Sequence, residues 1–277
     1  MESLARFLRE RAGGRVIDRA DSAAISVLKT YQPDLTALRG RIISDTQRHG
    51  KFLDLVAAPD PGAGGSQAAD QPLHLVIHLA RAGWLRWRDS LPEAPPRPGK
   101  SPLGFRLRFT DGAGFDLTEA GTKKRLAVYL VADPAEVPGV AALGPDPMAD
   151  TFTVEALAGM LAGSRTQIKG VLRDQKIIAG IGNAYSDEVL HVAKMSPFRL
   201  ASSLTEDEVA GLHAAITTTL REAVDRGFYC TTVSDACAAG DPEVHAAMLK
   251  CIAGEGNILG EVRDTHGMIE HWRTAAG

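Results

Sequence analysis

Residues 167–190 read QIKGVLRDQKIIAGIGNAYSDEVL. An apolar run, Ile177 to Ile181, ends in Gly-Ile-Gly-Asn, and a helical pattern opens behind it with Asp187 and Glu188. Glycine lets a backbone approach a neighbour closely and take positive φ. A helix N-terminus offers free N–H groups to an anion. Two readings stay open on this pattern. GIGN clamps a phosphate, with Asn183 donating from its side chain, or it is a turn between helices in which Gly and Asn supply only backbone geometry.

Outward from this stretch the C-terminal half has a helical period. Leu157 and Leu161 suit one helix, Thr205 and Glu208 make a capping box, and Val209, Leu212, Ile216, Leu220 and Val224 form one apolar stripe. The N-terminal half alternates instead. MESLARFLRER reads as a short helix with Leu4, Phe7 and Leu8 on one face, ended by Gly13-Gly14. RIISDTQ and KFLDLVA flank Arg48-His49-Gly50 as a hairpin, LHLVIHL turns through Ala82-Gly83 into WLRW, and FRLRF and FDL flank Asp111–Gly114. LAVYLV is a further strand. Residues 57–72 and the proline-rich 91–102 read as loops, the first of them mobile, and 132–148 reads as an interdomain linker. The last stretch, 229–277, has no strong period.

A length of 277 residues with 44% hydrophobic content allows a sizeable core in one or two domains. The longest apolar stretches are too short for a membrane span and no secretory signal pattern is present, so the expectation is a soluble cytoplasmic protein without membrane contact. Cys230, Cys237 and Cys251 form no C-x-x-C pair and no disulfide framework. The net charge of −3 excludes a uniformly basic nucleic-acid binder, but residues 1–50 hold 9 Lys and Arg against 6 acids, and 81–125 hold 10 against 5. Local basic patches of this kind permit phosphate binding, and they also suit a solvated face.

The residues from Leu143 to Ala214 carry LGP, IK, DQ, GIGN-x-Y-x-DE and SP in order, and this closely resembles the helix-two-turns-helix domain of the formamidopyrimidine-DNA glycosylase and endonuclease VIII family. RHGKFLDL resembles the family's R-x-G-K hairpin, and LVIHLARAGWLRW resembles its I-H-L-G-M-x-G-x-L-R segment. The resemblance runs from residue 1 to about residue 226. It implies an α+β fold: an N-terminal antiparallel β-sandwich over 1–133, a linker over 134–148, a helix-two-turns-helix domain over 149–228, and a degenerate finger tail over 229–277.

By the same resemblance the substrate is double-stranded damaged DNA, from which oxidised bases are removed by a glycosylase that also cleaves the strand. Asn183 and Lys169 would hold the phosphates beside the flipped nucleotide, with Arg165 and Tyr185 near them. Lys51 would stand by the scissile sugar, and His78 in the DNA groove. Arg81 would take the place of the family's gap-filling methionine. Taken alone, Lys51 reads as a solvated turn lysine and His78 as a packed histidine. His78 alternates away from Leu75 and Ile77, which favours the outer face. The aromatic-bearing segment that completes the family's gap-filling set falls near EAGTKKR (119–125), which has no aromatic residue. Location in a bacterial nucleoid and a monomeric state go with this reading.

Two departures matter. The family's nucleophile is an N-terminal proline in P-E-x-P-E-V-E, whose α-amine attacks the sugar C1′. This chain begins MESLARFL, so Met1 aligns with the valine and Glu2 with the later glutamate. The family's four-cysteine zinc finger is also missing. Cys230, Cys237, Cys251, His245, His266 and His271 lack paired ligand spacing, so no metal or cofactor, zinc included, is expected. HGMIEHW (266–272) would be the remnant of the finger hairpin, with Met268 where its arginine stands. These losses support an alternative reading, a catalytically inactive relative that binds damaged or abasic DNA. An RNA-binding module is the third reading, and the β domain argues against it. Valine's GTG codon can serve as a bacterial start, so the codons immediately upstream of Met1 are expected to encode a Pro-Glu-x-Pro-Glu run. Sequencing that region checks this, and any other reading there would make the loss real.

Overall fold

The computed structural model describes residues 1–60, 71–80, 82–96, 101–120, 124–225, 231–233 and 261–269. Most of the loop 57–72, part of 91–102, and Arg81 lie outside these residues.

Alternation decides the N-terminal half, because successive strand residues point to opposite faces. Helix α1 (Glu2–Ala12) is followed by β1 (Ile17–Ser22), β2 (Ile42–His49), β3 (Phe52–Ala58), β4 (Leu73–His78), β5 (Gly83–Arg88), β6 (Leu103–Phe109), β7 (Gly114–Glu119) and β8 (Ala127–Val131). They form two antiparallel four-stranded sheets, ordered β1-β6-β7-β5 and β2-β3-β4-β8. Leu53, Leu55, Leu75 and Ile77 from one sheet meet Phe105, Leu107, Phe109, Phe115 and Leu117 from the other in one buried core, joined by Ala5 and Leu8 of α1. This is the expected β-sandwich.

The segment WLRW takes a place that pattern alone does not show. It does not pair with the preceding LHLVIHL strand but crosses to the other sheet, where β5 pairs with β7. The corner is tight: the Gly83 N–H donates to the Leu79 carbonyl at 2.9 Å, and a Cβ at Gly83 would stand 2.1 Å from that oxygen. On the outer face, His49 and His74 both sit against the buried Asp54 carboxylate, at 3.0 and 2.9 Å, and so tie β2, β3 and β4 together.

Residues 134–148, expected as a linker, carry structure of their own. Asp133 and Glu136 cap a 3-10 turn over Pro134–Glu136, and α2 (Pro138–Ala141) follows. Val137 is fully buried against Val76 and Val131 on the outer face of β4 and β8. The Pro-rich composition concealed this because proline suits the first turn of a helix as well as a loop. Beyond α2 the chain passes under the GIGN region. The Gly144 N–H donates to the Gln175 carbonyl at 2.8 Å and the Ala179 N–H to the Pro145 carbonyl at 3.0 Å.

The C-terminal half of this unit is helical: α3 (Val154–Leu161), α4 (Ile168–Arg173), α5 (Asn183–Val192) and α6 (Glu206–Asp225). Its core collects Leu157, Leu161, Val171, Leu172, Ile181, Leu212 and Ile216. The capping box is present, with the Thr205 N–H on the Glu208 carboxylate at 2.9 Å and the Glu208 N–H on the Thr205 hydroxyl at 3.3 Å. Helix α5 starts at Asn183 rather than at the acids, because Gly182 already serves as its extended N-cap.

Met1–Val224 form one compact unit and Asp225–Gly277 a second. In the second, β9 (Thr231–Val233) and β10 (Glu261–Arg263) pair in parallel. Residues 265–269 are helical, with the Met268 N–H bonded to the Asp264 carbonyl at 3.0 Å. The expected hairpin remnant at 266–272 is therefore corrected for its described part: a hairpin needs antiparallel strands, and Met268 lies on a helical turn. Cys230, Cys237, Cys251, His245 and His271 lie outside the described residues.

A Cβ at Gly144 would stand 2.5 Å from the carbonyl oxygens of Lys176 and Ile177. Gly144→Ala is expected to cost about 1–3 kcal/mol by overpacking this crossing. Urea denaturation measures it, and an unchanged midpoint would mean that the crossing is loose.

Candidate nucleic-acid interface

The turn between α4 and α5 is assembled by Asp174 and Gln175. The Ile177 and Ile178 N–H groups bond the Asp174 carbonyl at 3.0 and 2.9 Å, and the Lys176 N–H bonds the Asp174 side chain at 2.9 Å. The Gln175 amide spans the loop. Its Nε2 donates to the Arg173 and Ile181 carbonyls at 2.9 and 2.8 Å, and its Oε1 accepts from the Gly180 N–H at 3.0 Å. Ile178, Ala179 and Ile181 are buried, so the apolar run anchors the loop while its glycines stay at the surface of the helical core. Gly180 has φ +89°. Behind Gly182, α5 opens with no side-chain cap, at the exposed Asn183.

Onto this loop packs the tip of the β2–β3 hairpin. Gly50, at φ +54°, has Leu143 and Ala179 methyl carbons 3.2–3.4 Å from where a Cβ would stand. The backbones approach closely because neither Gly50 nor Gly180 carries a side chain. The approach carries Lys51 to the helix: its Nζ lies 3.8 Å from the Cβ position of Gly182.

Arg48, on the same hairpin, holds the surroundings. Its guanidinium, only 9% exposed, donates to Glu2 at 2.8 Å, to the Gly50 carbonyl at 3.2 Å, and to Asp146. It thereby joins α1, the hairpin and the segment behind α2. Glu2, Arg48, Asp146, Gly180 and Tyr185 line a pocket of about 100 Å³ that the Met1 α-amine also borders. Burial pushes that amine's pKa down, and the nearby Arg48 charge adds to the effect.

The free cations gather beside this pocket. Lys51 is half-buried and makes no hydrogen bond or ion pair among the described residues. Burial pushes its pKa down, and the Arg173 guanidinium at the end of α4 pushes it further. His78 sits across from Phe52 in the β3–β4 register, ring against ring at 4.7 Å and 35°. Burial lowers its pKa too, with Lys51 as the second cause, so the imidazole is neutral near pH 7.

Of the residues singled out in the sequence, Lys51, His78 and Asn183 come together here, with Tyr185 at the pocket rim. Arg165 is exposed in the turn ahead of α4. Lys169 is held apart: its Nζ bonds Asp187 on α5 at 2.5 Å. Arg173 was not singled out at all. In the sequence it is one more charged position between the buried Leu172 and the capping Asp174, and no period distinguishes it. Among the described residues no group of three or more His, Cys, Asp or Glu is arranged to hold a metal ion, and no helix is long and apolar enough to cross a membrane.

The family model of the formamidopyrimidine-DNA glycosylase N-terminal domain matches residues 1–124, and that of the formamidopyrimidine-DNA glycosylase H2TH domain matches 143–235. A formamidopyrimidine-DNA glycosylase of Symbiobacterium thermophilum is 36% identical over 82% of this chain and 69% of its own length. One of Paracoccus denitrificans is 33% identical over 82% of this chain and 77% of its own length. The Lactococcus lactis enzyme solved with abasic-site DNA superposes with a TM-score of 0.68 at 24% identity, over 82% of this chain and 77% of that one, which shows a shared fold. The tail departs: an isochorismatase domain model matches residues 209–266, and the parallel pairing of β9 and β10 lies within that match. With its sandwich and its helix-two-turns-helix half both matched, and relatives a third identical along most of its length, the chain belongs to the formamidopyrimidine-DNA glycosylase family of base-excision repair.

Proposed function

We propose that the chain engages damaged double-stranded DNA along the face where the β2–β3 hairpin meets the start of α5, and that it removes oxidised bases and cleaves the strand there. One observation carries the placement. Lys51, Arg173 and the uncapped N-terminus of α5 converge without an anionic partner among the described residues. A surface that leaves a half-buried lysine and an exposed arginine unpaired is complementary to a phosphate backbone. Asn183 adds a side-chain amide at the same spot, and Arg165 and Tyr185 extend the surface. In this reading the protein acts as a monomer, associates with the nucleoid, and draws on no zinc.

Lys169 belongs to this surface with a condition: Asp187 must release it. The pair is half-exposed on the Asp187 side, where an ion pair is worth little, so an arriving phosphate can displace the carboxylate.

The deciding experiment measures base release and strand cleavage on a duplex carrying a formamidopyrimidine, alongside binding to an abasic-site analogue duplex. Release and cleavage are expected. Tight, lesion-selective binding without either would establish the inactive, lesion-binding reading. Preference for structured RNA over both duplexes would remove the DNA reading.

Asn183→Ala is expected to weaken binding to the abasic-site analogue by about 1.5–3 kcal/mol, the range for a hydrogen bond to a charged group. Equal affinity at matched salt would take Asn183 off the phosphate. Lys169→Ala is expected to flatten the salt dependence by about one phosphate contact. A slope that does not move would show that Lys169 points away from the DNA.

A further inference from the structure

A groove of about 480 Å³ opens between α3, the 3-10 turn Ala201–Ser203 and the start of α6, nearly five times the volume of the pocket beside Met1. Side-chain size explains it. Val154, Ala158, Leu161 and Ala162 share one face of α3, since residues three and four apart are neighbours on a helix. Leu161 and Val209 are buried beneath the groove, with the half-buried Val154 and Leu204 beside them. Ala158 and Ala162 are exposed and too short to close it.

The rim carries charge of one sign. Glu155 of α3 and Glu206 of α6 both line the groove and both are exposed, and no Lys, Arg or His lines it. Glu206 has no hydrogen-bond or ion-pair partner among the described residues. Hydrogen bonds from its own backbone N–H and from the Thr153 side chain hold the Glu155 pKa below its usual value, so it is ionised at neutral pH. An apolar groove between carboxylates matches an apolar side chain flanked by cations. Nucleic acid has the wrong charge for it. So do the stretch 229–277, with 3 Lys and Arg against 7 acids, and a second copy of a chain whose net charge is −3. Helix α1 is amphipathic and carries three arginines, but it already buries Ala5 and Leu8 in the sandwich core.

We propose that this groove docks a basic amphipathic helix of another protein, which sets an apolar side chain between α3 and α6 and its Lys or Arg residues on Glu155 and Glu206. One wall of the groove is tied to the DNA surface. The Ala201 N–H donates to the Thr166 carbonyl at 3.0 Å and the Ser202 N–H to the Ser164 carbonyl at 3.2 Å, so the 3-10 turn is fastened to the turn that carries Arg165. Docking there uses none of the residues proposed to hold DNA, so the partner is recruited beside the duplex rather than in competition with it.

The test uses the full chain and a labelled synthetic helix with leucines at i, i+3 and i+7 and lysines flanking them. Fluorescence anisotropy is expected to show saturable binding that weakens at least about tenfold when the probe's leucines become alanine. Amide hydrogen exchange with the probe bound is expected to slow in α3 and in residues 201–209. Ala158→Arg fills the groove from an exposed helix position with a like charge and is expected to abolish binding. Glu206→Lys is expected to weaken it about fivefold. Melting temperatures check that both variants fold, and both are expected to bind the abasic-site analogue duplex as the parent chain does. No binding, equal binding of a probe with glutamates in place of its lysines, protection outside the groove, or binding that survives both substitutions would overturn the proposal. Self-association that Ala158→Arg abolishes would give the groove to a second copy instead, and a changed duplex affinity in either variant would give it to DNA.

Discussion

The close backbone approach between the β2–β3 hairpin tip and the loop ahead of α5 is the constraint on which the rest of the site depends. Gly50 and Gly180 take positive φ at the contact, and Gly144 passes beneath it against two carbonyl oxygens. A side chain at Gly144 would clash with those oxygens, and one at Gly50 would crowd Leu143. The contact is then secured by polar ties of long sequence separation: Arg48 to Glu2 and Asp146, and Gln175 to both sides of the loop. These groups are largely shielded from water, where a hydrogen-bonded charge is worth more and an unpaired one costs more.

The same shielding sets the chemistry. Most arginines of the sandwich are neutralised within the fold, as Arg106 is by Asp116 and Arg108 by Asp18. Lys51 stands near Arg173 without a carboxylate partner among the described residues, so the arginine adds to the cost of the lysine's charge.

The tail follows a different logic from the rest of the chain. Its described strands run parallel, and parallel strands need a long crossover between them. A finger hairpin has no such requirement, which agrees with the match of 209–266 to an isochorismatase domain model rather than to a finger. The weak period of 229–277 left it read as a degenerate finger tail, and the direction of strand pairing lies between residues distant in sequence and could not be read from either strand.

By itself the sequence determined the division into an alternating half and a helical half, because apolar period is a local property. It also carried the Thr205–Glu208 cap, the two hairpins, and the GIGN turn, since capping and positive φ are local demands that particular residues satisfy. The helical turns at 134–141, the passage of β5 to the far sheet, the Lys169–Asp187 pair and the nearness of Arg173 to Lys51 were decided only by tertiary structure. So were the two protonation tendencies that matter most, those of Lys51 and His78. The physical reason is the same throughout. Desolvation and charge–charge distance depend on elements brought together from far along the chain, and a residue's own neighbours in sequence carry no record of them.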